Sequence, residues 1–440
     1  MNDPLSGLVL AALVLASTRT ETDKLRRRAD WGFGLAPSES GAVVRGLRSG
    51  TPAASAGLAD GDHVLRIDGQ ALADAAAIAD ARRRYKGGDR VRLLVAHEGR
   101  ERTLDLMLAA LPEERIPGCD VRYGSLRTRR GDVVRTVWTR PRGTQGPLPT
   151  LVFIPWLSCD SVEGAVPGDG WLQLLRGIAE KSGWATYRVD KPGVGDSEGA
   201  DCGHNDLDAD VAAFEAALDE VATLSGVDHD RVVIFGGSIG AGLAPVLARG
   251  RRVAGIVVSG GFSRTWLDHM LDLEPRRLAF EGESRAEIDR AIPGYADFYR
   301  LFLTERLTPA QVLARRPDLS RLWYDAPDGQ YGRPAAYYHQ VQALDVEGAW
   351  RAVDAPVLVL HGEYDWIMSR TEADHVLEIV NARHPGRATL VLMPGVDHNF
   401  AAYATPEAAY RDEGGRFYAP AIGAVTDWLR ARAASPAGGR

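Results

Sequence analysis

The strongest constraint in this chain is an alternation that runs from about residue 148 almost to its end. Short apolar, β-branched runs ("TLVFIP", "WATYRVD", "RVVIFG", "VAGIVVSG", "APVLVLHG", "ATLVLMPG") are separated by stretches of helical period such as "GWLQLLRGIAEKSG", "DLDADVAAFEAALDEVATL" and "SRTEADHVLEIVNAR". Continuous apolar strands with helices between them specify a doubly wound α/β architecture, a mostly parallel sheet covered on both faces. Ahead of them, "CDVRYGSL" and "DVVRTVWTRP" predict an antiparallel hairpin. One stretch breaks the alternation. Residues from about 262 to 352 are helical and aromatic-rich, with Trp266, Phe280, Tyr295, Phe298, Tyr299, Phe302, Trp323, Tyr324, Tyr337 and Tyr338, and read as a lid inserted after the strand at 253–259.

At 440 residues the chain is too long for one ordinary domain, and its beginning has a different pattern. Residues 30–111 read as short strands and turns around one helical stretch, "ADAAAIADARRRY". The loop "DWGFGLA" (30–36) and the stretch "SGTPAASAGLADGDHVLRIDG" (49–69) resemble PDZ domains. That resemblance implies a small, mainly-β domain whose loop takes a peptide C-terminus on successive backbone N–H groups, the peptide adding as an edge strand. Two features depart from it. Asp30 stands where the loop's first glycine is usual, and alanines begin the groove helix in place of a histidine. The alternative is a domain that packs on its neighbour and shapes substrate access. "PEERIPG" (112–118) is a proline-bounded linker, and the α/β unit covers 119–435.

A net charge of −7 argues against a nucleic-acid surface. The basic clusters at 24–28 and 82–84 read as solvated helix faces. Cys119, Cys159 and Cys202 lack metal-ligand spacing. Within the apolar segment of residues 1–29, "LSGLVLAALVLA" (5–16) is too short to span a membrane. It has the length of a signal-peptide core with "VLA" as a cleavage site, although no Lys or Arg precedes it. Export (periplasmic or secreted) is the favoured reading. The alternative is a packed helix in a cytoplasmic protein, capped by Asp3 with Pro4 in its first turn. The tail 436–440 is expected to be flexible.

"VIFGGSIGAG" (233–242) sets Ser238 in G-x-S-x-G between a strand and a helix. Such a turn needs small flanking residues, because a side chain at Gly236 or Gly240 would meet the opposite arm. It leaves the serine at the strand's C-terminal end, beside the positive end of the helix. A phosphate-binding loop is excluded, since no lysine follows the last glycine. A serine hydroxyl needs a base to become nucleophilic, and the base needs a carboxylate to orient it. "VLVLHGEYDWIMS" supplies Asp365, with Glu363 as an alternative acid. "LVLMPGVDHNF" supplies His398 just after the next strand, with Asp397 as a turn residue.

The order Ser238, Asp365, His398 is that of α/β-hydrolases, and residues 119–435 resemble that family. "HGEYDWIM" and "PGVDHNF" look like its acid and histidine loops, and "RVDKPGVGDSEG" (188–199) like the loop after its second parallel strand. The resemblance implies a serine hydrolase that cleaves a carboxylic ester or thioester through an acyl-enzyme, with no metal or organic cofactor. The aromatic lid implies a bulky or apolar acyl group. A peptidase or amidase served by the PDZ-like domain, an acyltransferase and a scaffold without activity are the alternatives. Many members carry His-Gly where this chain has Pro155 and Trp156. By position, the oxyanion hole falls to the backbone N–H groups of Leu157 and Ile239. Trp156, Lys191 and Trp366 are the pocket candidates, Lys191 either attracting an acidic substrate group or lying in solvent. Cys159 and Cys202 occupy loops that a doubly wound sheet sets side by side, so they form a disulfide or remain free thiols.

Overall fold

A computed structural model describes residues 24–39, 41–164 and 169–433. The apolar segment 5–16 and the tail 436–440 lie outside these residues. The larger sheet has eight strands: β1 (Cys119–Arg127), β2 (Val133–Pro141), β3 (Leu148–Ile154), β4 (Ala185–Val189), β5 (Val227–Gly237), β6 (Gly255–Ser259), β7 (Val357–Gly362) and β8 (Ala388–Met393). They lie in the order β8-β7-β6-β5-β3-β4-β2-β1. β2 runs antiparallel to both β1 and β4, and every other pairing is parallel. The chain starts at one edge, crosses to the centre, then winds outward to β8.

The continuous apolar runs follow from burial on both faces. Leu151 and Phe153 of β3, with Val233 and Phe235 of β5, pack under the helices Gly170–Lys181 and Pro420–Ala433. Their neighbours Val152, Ile154, Val232 and Ile234 turn to the other face, against Leu207–Val221 and Ile239–Ala248. Side chains alternate along a strand, so a strand covered on both sides can spare no polar position. Each of these side chains stabilises the sheet by about 2 kcal/mol.

Residues 30–111 form a separate antiparallel sheet, Gly34–Ser38, Gly41–Arg45, His63–Ile67, Arg90–His97 and Arg100–Met107 paired in that order. The helix Ala75–Arg84, capped by Asp74, closes a core of Trp31, Phe33, Val44, Val64, Ile67, Ile78, Leu93 and Val95. Asp30 does not stand free in the loop. Its carboxylate accepts from the N–H of Gly32 at 3.1 Å and pairs with Arg48.

The basic clusters do more than face solvent. Residues 24–27 take up no regular secondary structure and are not helical. Arg27 reaches Glu163 at 2.6 Å and also pairs with Asp196, while the N–H of Arg28 donates to Asp196 at 2.7 Å. Buried Arg135 joins the same carboxylates together with Asp190. Buried carboxylates need such partners, because an unpaired charge out of water is strongly destabilising. Arg82–Arg84 end the helix Ala75–Arg84 as exposed residues, yet Arg83 crosses to Asp201. The PDZ-like unit and the segment that leads into it are thus both tied to the α/β unit.

Between β6 and β7 the chain builds the helices Trp266–Phe280, Arg285–Tyr299, Pro309–Arg315, Ala335–Gln342 and Val346–Arg351. Most of the aromatic residues here pack on one another, in a cluster continuous with the core on that face of the sheet. Tyr295, Phe298, Tyr299, Phe302, Tyr337 and Tyr338 are buried, and Trp323 stacks on Phe298 at 4.6 Å. No helix among the described residues is long and apolar enough to cross a membrane.

Candidate active site

Ser238 sits where β5 turns sharply into the helix Ile239–Ala248, with φ 56° and ψ −122°. A non-glycine residue held there stores about 1–3 kcal/mol of strain, so its surroundings must fix it. They do: its N–H donates to Ser259 at 2.9 Å, and its carbonyl accepts from the N–H of Ala241 at 2.9 Å. A Cβ at Gly236 would strike the carbonyl of Gly240, and one at Gly240 the carbonyl of Ile154. Only glycine lets the helix pass this close to the sheet.

The loops after β7 and β8 bring the other two groups to this point. Nδ1 of His398 lies 2.8 Å from Oδ2 of Asp365, and Nε2 lies 3.0 Å from the hydroxyl of Ser238. With Nδ1–H donating to the carboxylate, Nε2 is left to accept the serine proton. The other oxygen of Asp365 accepts from the N–H groups of Ile367 and Met368 at 3.0 and 2.8 Å. Burial pushes the Asp365 carboxyl up, but His398 and these backbone donors hold it below the usual range. Burial also works against the His398 imidazolium, and Asp365 outweighs it, raising His398 above the ordinary value. Glu363 is exposed and accepts from the N–H of Gly395, away from His398. Asp397 accepts from the N–H groups of Asn399 and Ala401 and shapes the turn.

Above the serine lies a cavity of about 730 Å³. Trp156, Leu157, Ile239 and Trp366 line it, joined by Trp171, Trp266, Tyr331, Tyr403 and Phe417. The lid supplies Trp266, His269, Leu273 and Tyr331, so few of its aromatic residues reach the site. His269 is 1% exposed, and burial lowers it to about 4, which keeps the ring neutral. The charged lining residues are Asp160, Asp169 and Asp412, with no Lys or Arg among the described residues. These lid and rim residues were not legible in the sequence, because no local pattern says which side of a helix meets a distant loop.

Lys191 neither faces the cavity nor lies in solvent. It is 1% exposed beneath the loop after β3, where its ammonium donates to the carbonyls of Trp156 at 2.8 Å, Leu157 at 3.1 Å and Ser158. Arg333 of the lid donates to the carbonyls of Leu157 and Cys202 and pairs with buried Asp210. Cys159 and Cys202 are joined in a disulfide between these neighbouring loops, and Cys119 is free and buried.

Comparison with known proteins agrees with this architecture. A family model described as "Alpha/beta hydrolase family" matches residues 164–413, and one described as "PDZ domain" matches residues 29–108. No curated protein matches the chain. Among solved structures, an esterase of Pyrococcus furiosus is similar at 12% identity and a TM-score of 0.45, covering 73% of this chain and 96% of its own. Est1E from Butyrivibrio proteoclasticus has 15% identity and a TM-score of 0.44, covering 71% and 99%. A hyperthermophilic esterase from the archaeon Pyrobaculum calidifontis has 20% identity and a TM-score of 0.42, covering 73% and 88%. Likeness at such TM-scores says nothing about substrate. The family match spans more than half of the chain and includes Ser238, Asp365 and His398, and the chain belongs to the alpha/beta hydrolase family, with a PDZ domain ahead of its hydrolase unit.

Proposed function

We propose that this protein is a serine hydrolase that cleaves a carboxylic ester or thioester through an acyl-enzyme. The hydrogen-bonded chain Ser238–His398–Asp365 carries the reading. His398 takes the Ser238 proton as Oγ attacks the acyl carbonyl, and Asp365 stabilises the imidazolium that forms. The N–H groups of Leu157 and Ile239 receive the oxyanion. Ile239 opens its helix, so its N–H has no intrahelical partner. Each such donor contributes about 3 kcal/mol to the transition state. His398 then protonates the leaving group, and water activated by the same ring releases the acid.

The indoles and aliphatic side chains around the cavity favour a bulky, apolar acyl group, and the carboxylates of Asp160, Asp169 and Asp412 disfavour anionic substrates. Peptide presentation by the PDZ domain is disfavoured, because Asp30 already takes a loop N–H that a peptide carboxylate would need. A fluorophosphonate should label the protein at Ser238, lose that labelling in Ser238→Ala, and label His398→Ala far more slowly. Activity should rise with acyl length across p-nitrophenyl esters and stay negligible on aminoacyl p-nitroanilides. Labelling that persists in Ser238→Ala overturns the assignment.

A further inference from the structure

Three successive carbonyls, those of Trp156, Leu157 and Ser158, turn inward to one ammonium, Lys191. A strand or helix would pair them with N–H groups; in this loop the Lys191 ammonium takes that place. The peptide unit between Trp156 and Leu157 is planar and trans, which sets its C=O and N–H in opposite directions. With the Trp156 carbonyl fixed on Lys191, on the protein side, the Leu157 N–H is turned to the other side. That side is the cavity which Leu157 lines with Ser238 and Ile239.

Packing alone does not account for a charge here. A buried ammonium is costly to desolvate, and a methionine would fill similar space without that penalty. The surroundings are built to hold it. Burial lowers the Lys191 ammonium to about 7, and Asp210, nearly inaccessible on the helix Leu207–Val221 and paired with Arg333, attracts it against that penalty and against the repulsion of Arg333. Arg333, from the lid, adds a second donor to the Leu157 carbonyl at 3.3 Å. The loop is therefore braced from the sheet side by one cation and from the lid by another.

We propose that Lys191 is a positioning residue for acyl transfer: by anchoring the carbonyls of Trp156, Leu157 and Ser158 it aims the Leu157 N–H at the oxyanion. This rests on Ser238 being the nucleophile. Lys191 touches neither substrate nor reacting atoms, so its loss must appear in transition-state binding and not in substrate affinity.

The test compares Lys191→Met with the unaltered full-length protein on p-nitrophenyl butyrate, with an alkyl trifluoromethyl ketone as the tetrahedral-adduct analogue. Folding is checked by circular dichroism. The expected result is a kcat lowered by about 100-fold, the loss typical of one oxyanion donor. KM should stay within about threefold, and the ketone's inhibition constant should rise in step with the fall in kcat/KM. A folded Lys191→Met with kcat near that of the unaltered protein overturns the proposal. So does a loss confined to KM with unchanged ketone affinity. If Lys191→Met does not fold, Arg333→Met decides. It should lose about tenfold in kcat with the same split, and an unchanged kcat overturns the proposal. Unaltered protein that is not labelled by fluorophosphonate at Ser238 overturns the hydrolase reading and this inference with it. Labelled protein with a kinetically intact Lys191→Met overturns this inference alone.

Discussion

Two glycine-rich loops in this chain present backbone donors at the start of an element, and they end in opposite states. In the PDZ domain, the loop Trp31–Gly34 offers its N–H groups, but the Asp30 carboxylate takes that of Gly32 and is itself held by Arg48. In the hydrolase domain, the turn Gly236–Gly240 holds Ser238 in a strained conformation, and the cavity beside it is lined by Ser238, Ile239 and Leu157. Glycine spacing creates donors in both places. The carboxylate beside the first loop consumes one of them, whereas the carboxylate near the second, Asp365, bonds His398 and leaves the turn's donors alone.

The largest expected effect breaks the second loop. Ser238→Ala should lower kcat on a p-nitrophenyl ester by about six orders of magnitude while circular dichroism stays unchanged. Asp365→Asn should come next, at about four orders of magnitude, because the imidazole loses the partner that fixes its tautomer. The same variant sharpens the pH profile. Protonated His398 cannot accept the serine proton, so kcat/KM should rise with pH and level off above the His398 pKa. Asp365 raises that pKa beyond the ordinary 6.5, so the limb lies above that value, and Asp365→Asn should move it down. A limb unmoved by the substitution would assign the titration to another group.

A third effect concerns the frame around the loops. The Cys159–Cys202 bond closes a separation of 43 residues, and replacing both cysteines by serine should lower unfolding stability by about 4 kcal/mol in a denaturant titration. Because Lys191 and Arg333 still hold the carbonyls of the loop after β3, kcat should fall less than in Lys191→Met. The smallest effect tests the first loop. Asp30→Gly should leave esterase kinetics within about twofold and allow a fluorescent peptide with a free C-terminus to bind more tightly than the amidated peptide, read by anisotropy. Equal binding of both peptides would show that Asp30 does not block the loop.

The sharp turn at Ser238 was readable because its determinants are local: a strand, three glycines and a helix within a few residues of it. Asp365 and His398 were readable because the parallel winding sets the end of every strand on one edge. Lys191 was not readable. Its role depends on which way three carbonyls face in a loop 33 to 35 residues earlier in the chain. The cluster at 24–28 misled for a related reason, since Arg27 is half-buried against carboxylates 136 and 169 residues away. The aromatic composition of the lid pointed to the pocket, whereas most of those rings join the core beneath the lid.

By itself the sequence determined the periodicities, the glycine turn and the order of the three catalytic candidates, because these rest on backbone sterics and short-range repetition. Only the tertiary structure decided which donors remain open and which charges are buried. It also decided which lid residues meet the serine, since these depend on contacts between segments far apart in the chain that no local pattern encodes.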